Sequence, residues 1–342
     1  FEGFSFAQMT KQAGDGLIKT FNHGYLAVDF FFLLSGFVIN YAYNDRWKEM
    51  TTASFFKRRL IRLHPMLIMG AFIGLICFLI GGSEQWNGNT IPFYISIITF
   101  LLTCLMIPAL PGSFNEVRGN GELFPLNGPM WSLFFEYIGN ILYAIFIRRL
   151  STKLLTFVVI LLGILHSIFT IGNLSGYGNL GVGWTFDTIN FFGGMLRMLF
   201  PFTLGMLISR RFKAIKLPYP FLICSILLIA TLSMPYLSAF KAINFNGIYE
   251  SFCITVIFPL ILIIGASSQE KSKLSQTLGE LSYPLYIIHY PIMYLFYQWL
   301  IKTKQYTLSE TYPVALFVVV LSIVLAFILL KLYDKPLRQR LK

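Results

Sequence analysis

Ionisable and hydroxyl-bearing side chains interrupt this chain at a few places where almost everything around them is apolar. The fullest such place is Leu281-Ser282-Tyr283-Pro284-Leu285-Tyr286-Ile287-Ile288-His289-Tyr290-Pro291. On a helix Ser282, Tyr286, His289 and Met293 share one face, so hydroxyls and an imidazole converge there. Polar groups are costly in hydrocarbon, and a membrane segment that keeps them turns them toward protein or a wet cavity. The plainer use of the stripe is a hydrogen-bonded packing seam. A second stretch, Asn127-Gly128-Pro129-Met130-Trp131-Ser132-Leu133-Phe134-Phe135-Glu136-Tyr137, opens a helix at Pro129. Ser132, Glu136, Asn140 and Tyr143 then form a polar stripe, and Glu136 would be expensive there without a partner or a role. Arg197 is a candidate counter-ion. In Gly24-Tyr25-Leu26-Ala27-Val28-Asp29-Phe30-Phe31-Phe32-Leu33-Leu34-Ser35-Gly36-Phe37, Asp29 sits just inside a helix end, where it works, caps or pairs. Ser35 and Gly36 are small residues that let helix backbones approach. Finally, Arg59 and Arg62 are three apart on one helical face. They suit a shared grip on a polyanion, or flank a span as ordinary basic residues.

These side chains need apolar helices to hold them. Of 342 residues, 56% are hydrophobic and 12% charged, where a soluble domain carries about twice that charged share. The apolar residues fall in runs of about 20, the length that crosses a bilayer as helix. The fold class is therefore all-α, a polytopic integral membrane protein, organised as one transmembrane domain over residues 1–342. No gap between spans holds a soluble core. Cys77, Cys104, Cys224 and Cys253 lie in apolar runs without metal or disulfide spacing. The net charge of +12 sits in basic clusters beside spans, which positive-inside topology explains without nucleic acid. No nucleotide fingerprint and no metal-ligand cluster is present.

The expected spans are 24–43, 65–80, 91–110, 129–147, 154–171, 189–208, 218–237, 248–266, 283–301 and 313–333. With the basic clusters at 57–62, 148–149, 210–213, 271–273 and 335–342 in the cytoplasm, residues near Gly82, Gly178, Ala242 and Tyr306 lie outside. One segment breaks the alternation: a single crossing at 91–110 would invert every later cluster. Residues 91–128 are thus expected to dip in and return, as irregular backbone buried in protein or lining a cavity. The chain begins at Phe1, with no full span before Gly24. We expect a preceding span, about ten crossings in the native protein, both termini cytoplasmic, and the plasma (inner) membrane as the location.

Taken in order, these segments resemble the membrane-bound acyltransferase family 3, which transfers acyl groups to sugars of cell-surface glycans. The resemblance rests on Val-Asp-Phe-Phe-Phe-Leu-Leu-Ser-Gly-Phe at 28–37, the Arg59 and Arg62 pair, and Trp131-Ser132 with Glu136. Leu-Ser-Tyr-Pro-Leu-Tyr-Ile-Ile-His at 281–289 and Asp-Lys-Pro-Leu-Arg at 334–338 complete it. The resemblance implies an O-acyltransferase, most simply an O-acetyltransferase, with acetyl-CoA or another acyl-CoA as donor and no permanently bound cofactor. The residues expected to bind the donor are Arg59, Arg62, Ser35, Trp131 and Ser132, and those expected around catalysis are Glu136, Tyr286, His289 and Asp29, although the resemblance itself assigns His289 no clear chemical role. The acceptor is a hydroxyl of an extracytoplasmic or lipid-linked glycan, within membrane lipid. The family's first span carries an arginine and ends in a histidine taken as catalytic, and that span would precede Phe1. His23 lies near Asp29 but outside the family's motif and is given no role. The chain, ending at Lys342, looks like the type without a fused esterase-like domain.

The chemistry asks for a base to deprotonate the hydroxyl and for donors to the tetrahedral oxyanion. Backbone N–H groups of residues 111–128 are candidates for the latter. Glu136 and the 282–289 stripe are expected to line one cavity joining the two substrates, with Tyr286 orienting a substrate and His289 as hydrogen-bonded support. The alternative from another class is a transporter or flippase for a glycan or lipid, against which the chain shows no inverted repeat. A structural scaffold leaves Glu136 and His289 unexplained.

Overall fold

Apolar runs free of competing turn residues become helices along almost the whole chain. The computed structural model describes residues 22–237, 243–268, 272–304 and 307–341. The helices are α1 (Ala27–Tyr43), α2 (Thr52–Ile80), α3 (Phe93–Cys104), α4 (Met130–Ile145), α5 (Thr152–Ile171) and α6 (Thr188–Arg211). They continue as α7 (Pro220–Ser233), α8 (Phe245–Phe252), α9 (Phe258–Ser267), α10 (Lys273–Thr303), α11 (Leu308–Leu329) and α12 (Lys335–Leu341). Single π turns join α8 to α9 and α11 to α12. Among the described residues 7 helical stretches are long and apolar enough to cross a membrane. The chain is an all-α, multi-pass membrane protein.

Most expected spans coincide with these helices. Span 218–237 shortens to the 14 residues of α7. Span 283–301 lies inside the 31-residue α10, which carries Pro284 and Pro291. The region expected to dip in and return carries only a short helix. Its helix α3 has 12 residues, about 18 Å of rise, against about 30 Å of hydrocarbon. Irregular backbone follows to Pro129, and within it residues 122–129 are buried without interruption.

Two compact units divide the chain. The first contains Ala53–Trp131 and Ser272–Lys342; the second contains Lys19–Thr52 and Ser132–Lys271. In the second unit α1 packs along α6 through small residues. A Cβ at Gly36 would overlap the backbone of Phe202, and one at Gly205 the backbone of Leu33. Each helix thus offers a glycine to the other's main chain, the close approach that Gly36 led us to expect. Asp187 caps α6, accepting a hydrogen bond from the Asn190 amide at 3.0 Å. Burial raises its carboxyl, but donors from Thr185, Asn190 and Ile189 outweigh that and hold it below the usual range.

In the first unit α2 and α10 run side by side in the same direction. Tyr283 donates to the Leu63 carbonyl at 2.6 Å, Gly70 lies against Ile287, and Lys302 donates to the Gly81 carbonyl at 2.9 Å. The irregular segment is held at the depth of this pair. Gly74 faces the Leu126 backbone, and Asn127 donates to the Ile287 carbonyl at 2.7 Å. Non-helical backbone persists at such depth only where protein covers it, as here.

Candidate functional site

The first unit assembles part of the site from α2, α10 and the irregular segment. Arg59 and Arg62 stand one turn apart near the start of α2, but Arg59 is buried and Arg62 exposed. The sequence read them as one face; packing splits the pair. Tyr283 meets the Leu63 carbonyl one residue beyond Arg62. Further along α10, Tyr286 donates to the Pro129 carbonyl at 3.1 Å, where α4 begins. His289 turns Nδ1 to the carbonyls of Tyr286 (2.8 Å) and Leu285 (3.1 Å). Two carbonyls can only accept, so the proton is on Nδ1, and the neutral ring has its lone pair on Nε2. Ser282 bonds back to Gly279 in its own helix at 2.9 Å. The expected stripe therefore divides: Tyr286 reaches across to another segment, while Ser282 and His289 satisfy themselves locally.

The sequence missed the deeper part of this unit. Arg118 is fully buried and lies over the rings of Tyr294, Phe78 and Trp86 at 4.3, 4.8 and 4.9 Å. Its Nε donates to the Pro125 carbonyl at 3.1 Å. Tyr294 donates to Glu122, which also accepts from Asn120 at 3.1 Å. The irregular segment is thus pinned by a cation in an aromatic cage and by a buried carboxyl. The signal was present: a cation and a carboxylate four apart in a segment expected at membrane depth. The N–H groups of Gly119, Gly121 and Asn127 are occupied by Glu116 and Phe124, so these three are not oxyanion donors.

The second unit holds the remaining candidates. Glu136, half-buried on α4, accepts from the Ser35 hydroxyl at 2.9 Å. Asn140 bonds to the Glu136 carbonyl at 2.9 Å, and Trp47 donates to Tyr143 at 3.0 Å. The polar stripe of α4 is real, and Ser35 of α1 lies on it. Ser132, near the head of α4, is buried, as is Trp131, the last residue of the first unit's segment. Asp29 is fully buried and takes a bidentate pair from Arg197, Nε at 3.1 Å and Nη2 at 2.6 Å. Arg197 also donates to the carbonyls of Val182 and Tyr25. Arg197 thus serves as counter-ion to Asp29 in this unit, a partnership the sequence had offered to Glu136.

Beside that pair lies a network the sequence overlooked. Glu250 of α8 is buried and accepts from the Tyr25 hydroxyl and from the Leu180 amide at 2.8 Å. His23, also buried, brings Nδ1 to 3.0 Å from the Tyr25 hydroxyl and 3.4 Å from Glu250. A carboxylate at the third position of the expected span 248–266 was the available signal.

Comparison with known proteins gives this geometry its context. The family described as an acyltransferase domain, acyltransferase type 3, matches residues 3–331. "Protein 2 in picA locus" of Rhizobium radiobacter is 35% identical over 138 residues, 38% of this chain and 69% of that protein. "Acyltransferase MdmB" of Streptomyces mycarofaciens is 27% identical over 144 residues, 40% of this chain and 32% of that protein. The second match therefore spans about a third of the relative's length. No solved structure matches.

Proposed function

Because the chain belongs to the type 3 acyltransferase family and is an acyltransferase, we propose that it moves an acyl group from cytoplasmic acyl-CoA to a glycan hydroxyl. Acetyl is the simplest acyl group, and the glycan is extracytoplasmic or lipid-linked. The plasma (inner) membrane, with the C-terminus cytoplasmic, is the setting that the basic clusters favour.

One observation carries this reading: a polar line that starts at basic residues and continues along a helix pair. Arg62 is exposed near the start of α2, with Arg59 buried beneath it. Tyr283 and Tyr286 follow on α10, each bonded to backbone of a neighbouring segment. An arginine suits the phosphates of coenzyme A, because guanidinium makes short, charge-assisted bonds to phosphate oxygens. The tyrosines and His289 give the acyl group a polar path beyond the phosphates. Glu136 with Ser35 supplies a half-buried carboxylate within the second unit, suited to orienting or activating a hydroxyl.

The test uses full-length protein purified in detergent and radiolabelled acetyl-CoA. Wild type releases free CoA and passes label to a native glycan or lipid fraction; absence of both overturns the reading in favour of transport. Arg62→Ala weakens acetyl-CoA affinity by about 10- to 100-fold, the loss of one charge-assisted contact worth about 1.5–3 kcal/mol. Unchanged affinity in both Arg62→Ala and Arg59→Ala reduces the pair to a topology signal. Glu136→Gln keeps shape and removes charge; wild-type transfer by Glu136→Gln makes that charge dispensable.

A further inference from the structure

One end of the second unit gathers positive charge. There α1 and α6 finish side by side, Asn40 donating to the Ser209 hydroxyl at 3.1 Å, and α4 gives way to α5 through residues 146–151. Two of the arginines at this end serve the architecture. Arg148 donates through Nε to the Ala144 carbonyl at 2.8 Å and lies over the Trp47 ring at 3.9 Å. Arg210 donates to the Leu150 carbonyl at 2.7 Å. Lys153 and Arg211 are exposed instead, and Arg211 reaches from α6 to the Thr156 hydroxyl of α5 at 3.4 Å. The nearby turn 44–49 carries Asp45 and Glu49. Among the described residues neither forms an ion pair with any of these cations.

Lys153 and Arg211 stand at the head of a groove. It has a volume of about 680 Å³ and runs between α5 and α6, walled by Val159, Ile160, Gly163, Ile164, Phe200 and Leu204. Helical spacing aligns the cations with it. Phe200, Leu204 and Arg211 share one face of α6, and Lys153, Ile160 and Ile164 share one face of α5. At Gly163 the missing side chain lets the Phe200 ring come up against α5; a Cβ there would stand 2.9 Å from that ring. The hydroxyl of Ser167, further along the groove, is occupied by Ser251 at 2.9 Å, so the walls present hydrocarbon. Ile160 and Ile164 are exposed, which opens the groove toward the bilayer. Apolar walls of this kind hold hydrocarbon rather than water. Gly163 lies about 15 Å along α5 from Lys153, the depth of one leaflet. Ordinary flanking charge explains the cations but not their alignment with a groove.

We propose that this is a binding site for an anionic phospholipid, its phosphate held by Lys153 and Arg211 and one acyl chain lying between α5 and α6. Ammonium and guanidinium groups make charge-assisted bonds to phosphate oxygens. Basic residues where helices leave the bilayer attract anionic headgroups, and the groove favours a phosphate that carries a chain over a soluble one. The α5 helix buries only 28% of its apolar window in protein, so a bound lipid adds contacts that its neighbours do not supply. The inference stands apart from the acyl-transfer reading.

The experiment uses full-length protein purified in detergent and depleted of lipid, with the unfolding midpoint as readout. Phosphatidylglycerol raises the midpoint by about 4 °C or more beyond the same amount of phosphatidylcholine. The double variant Lys153→Gln with Arg211→Gln, at two exposed positions, removes that difference and binds acetyl-CoA as the wild type does. Glycerol 3-phosphate, a phosphate without an acyl chain, leaves the midpoint in place. Equal shifts with the two lipids, or an undiminished difference in the double variant, overturn the proposal. A shift reproduced by glycerol 3-phosphate makes the patch a site for soluble phosphate and overturns it as well. So does a fall of about tenfold in acetyl-CoA affinity in the double variant, which assigns the cations to the donor.

Discussion

In the second unit a buried charge meets its opposite: Asp29 grips Arg197 through two hydrogen bonds, and the arginine's remaining donors reach backbone carbonyls. In the first unit the buried cation Arg118 meets aromatic faces and one carbonyl. The difference follows from what each charge must hold. Asp29 and Arg197 tie α1 to α6, two regular helices whose backbones are already satisfied, so a strong, rigid lock costs nothing in geometry. Arg118 and Glu122 hold irregular backbone between α2 and α10, where carbonyls such as Pro125 need donors and ring faces fill an uneven space. Regular helices are clamped by charge, and the irregular segment is caged.

The largest expected effect breaks the clamp. Asp29→Asn leaves the Arg197 guanidinium buried without its counter-charge and costs about 3–5 kcal/mol of stability, read as a lower unfolding midpoint in detergent. The double variant Asp29→Asn with Arg197→Met recovers part of that loss, because no unpaired charge remains. A double variant as unstable as Asp29→Asn alone shows that the pair's packing, not its charge, holds α1 to α6.

A pair of glycine substitutions sharpens the contrast. Gly36→Ala sets a methyl group against the Phe202 backbone between two helices that cannot yield locally, and it lowers stability by about 1–3 kcal/mol. Gly74→Ala does the same to Leu126, but the irregular segment yields, shifting Asn127, Gly128 and Pro129. Its main effect is on acyl transfer, about a 10- to 100-fold fall, since small misplacements at a reacting site are amplified. Equal stability losses with unchanged transfer in both variants remove the distinction between the units.

The smallest effect concerns the cap of α6. The Asp187 carboxyl is held low by its donors, so its stabilisation is complete above about pH 4 and is lost as pH falls through the folded value. Asp187→Ala costs about 1 kcal/mol at neutral pH. Asp187→Asn keeps the cap and flattens the acid side of the stability curve. An unchanged acid slope in Asp187→Asn assigns that slope to other carboxylates.

By itself the sequence determined the class and the placement of most helices. Apolar length alone satisfies a bilayer, and basic clusters mark helix ends whatever the packing. It also marked residues 91–128 as irregular, and there the structure has a 12-residue helix followed by non-helical backbone. The polar stripe of α4 and the small residues of α1 were equally readable, because each follows from helical period within one segment. Partnership was not readable. Arg197 meets Asp29 across 168 positions of chain, Tyr25 and His23 meet Glu250 across more than 200, and Arg118 finds Tyr294 across a similar distance. Spacing describes a face of one helix, whereas an ion pair, a tautomer or an aromatic cage is set by which face of another segment packs against it. The same holds for Arg59 and Arg62: their shared helix is written in the sequence, but which of them is buried depends on the neighbours that only the tertiary structure supplies.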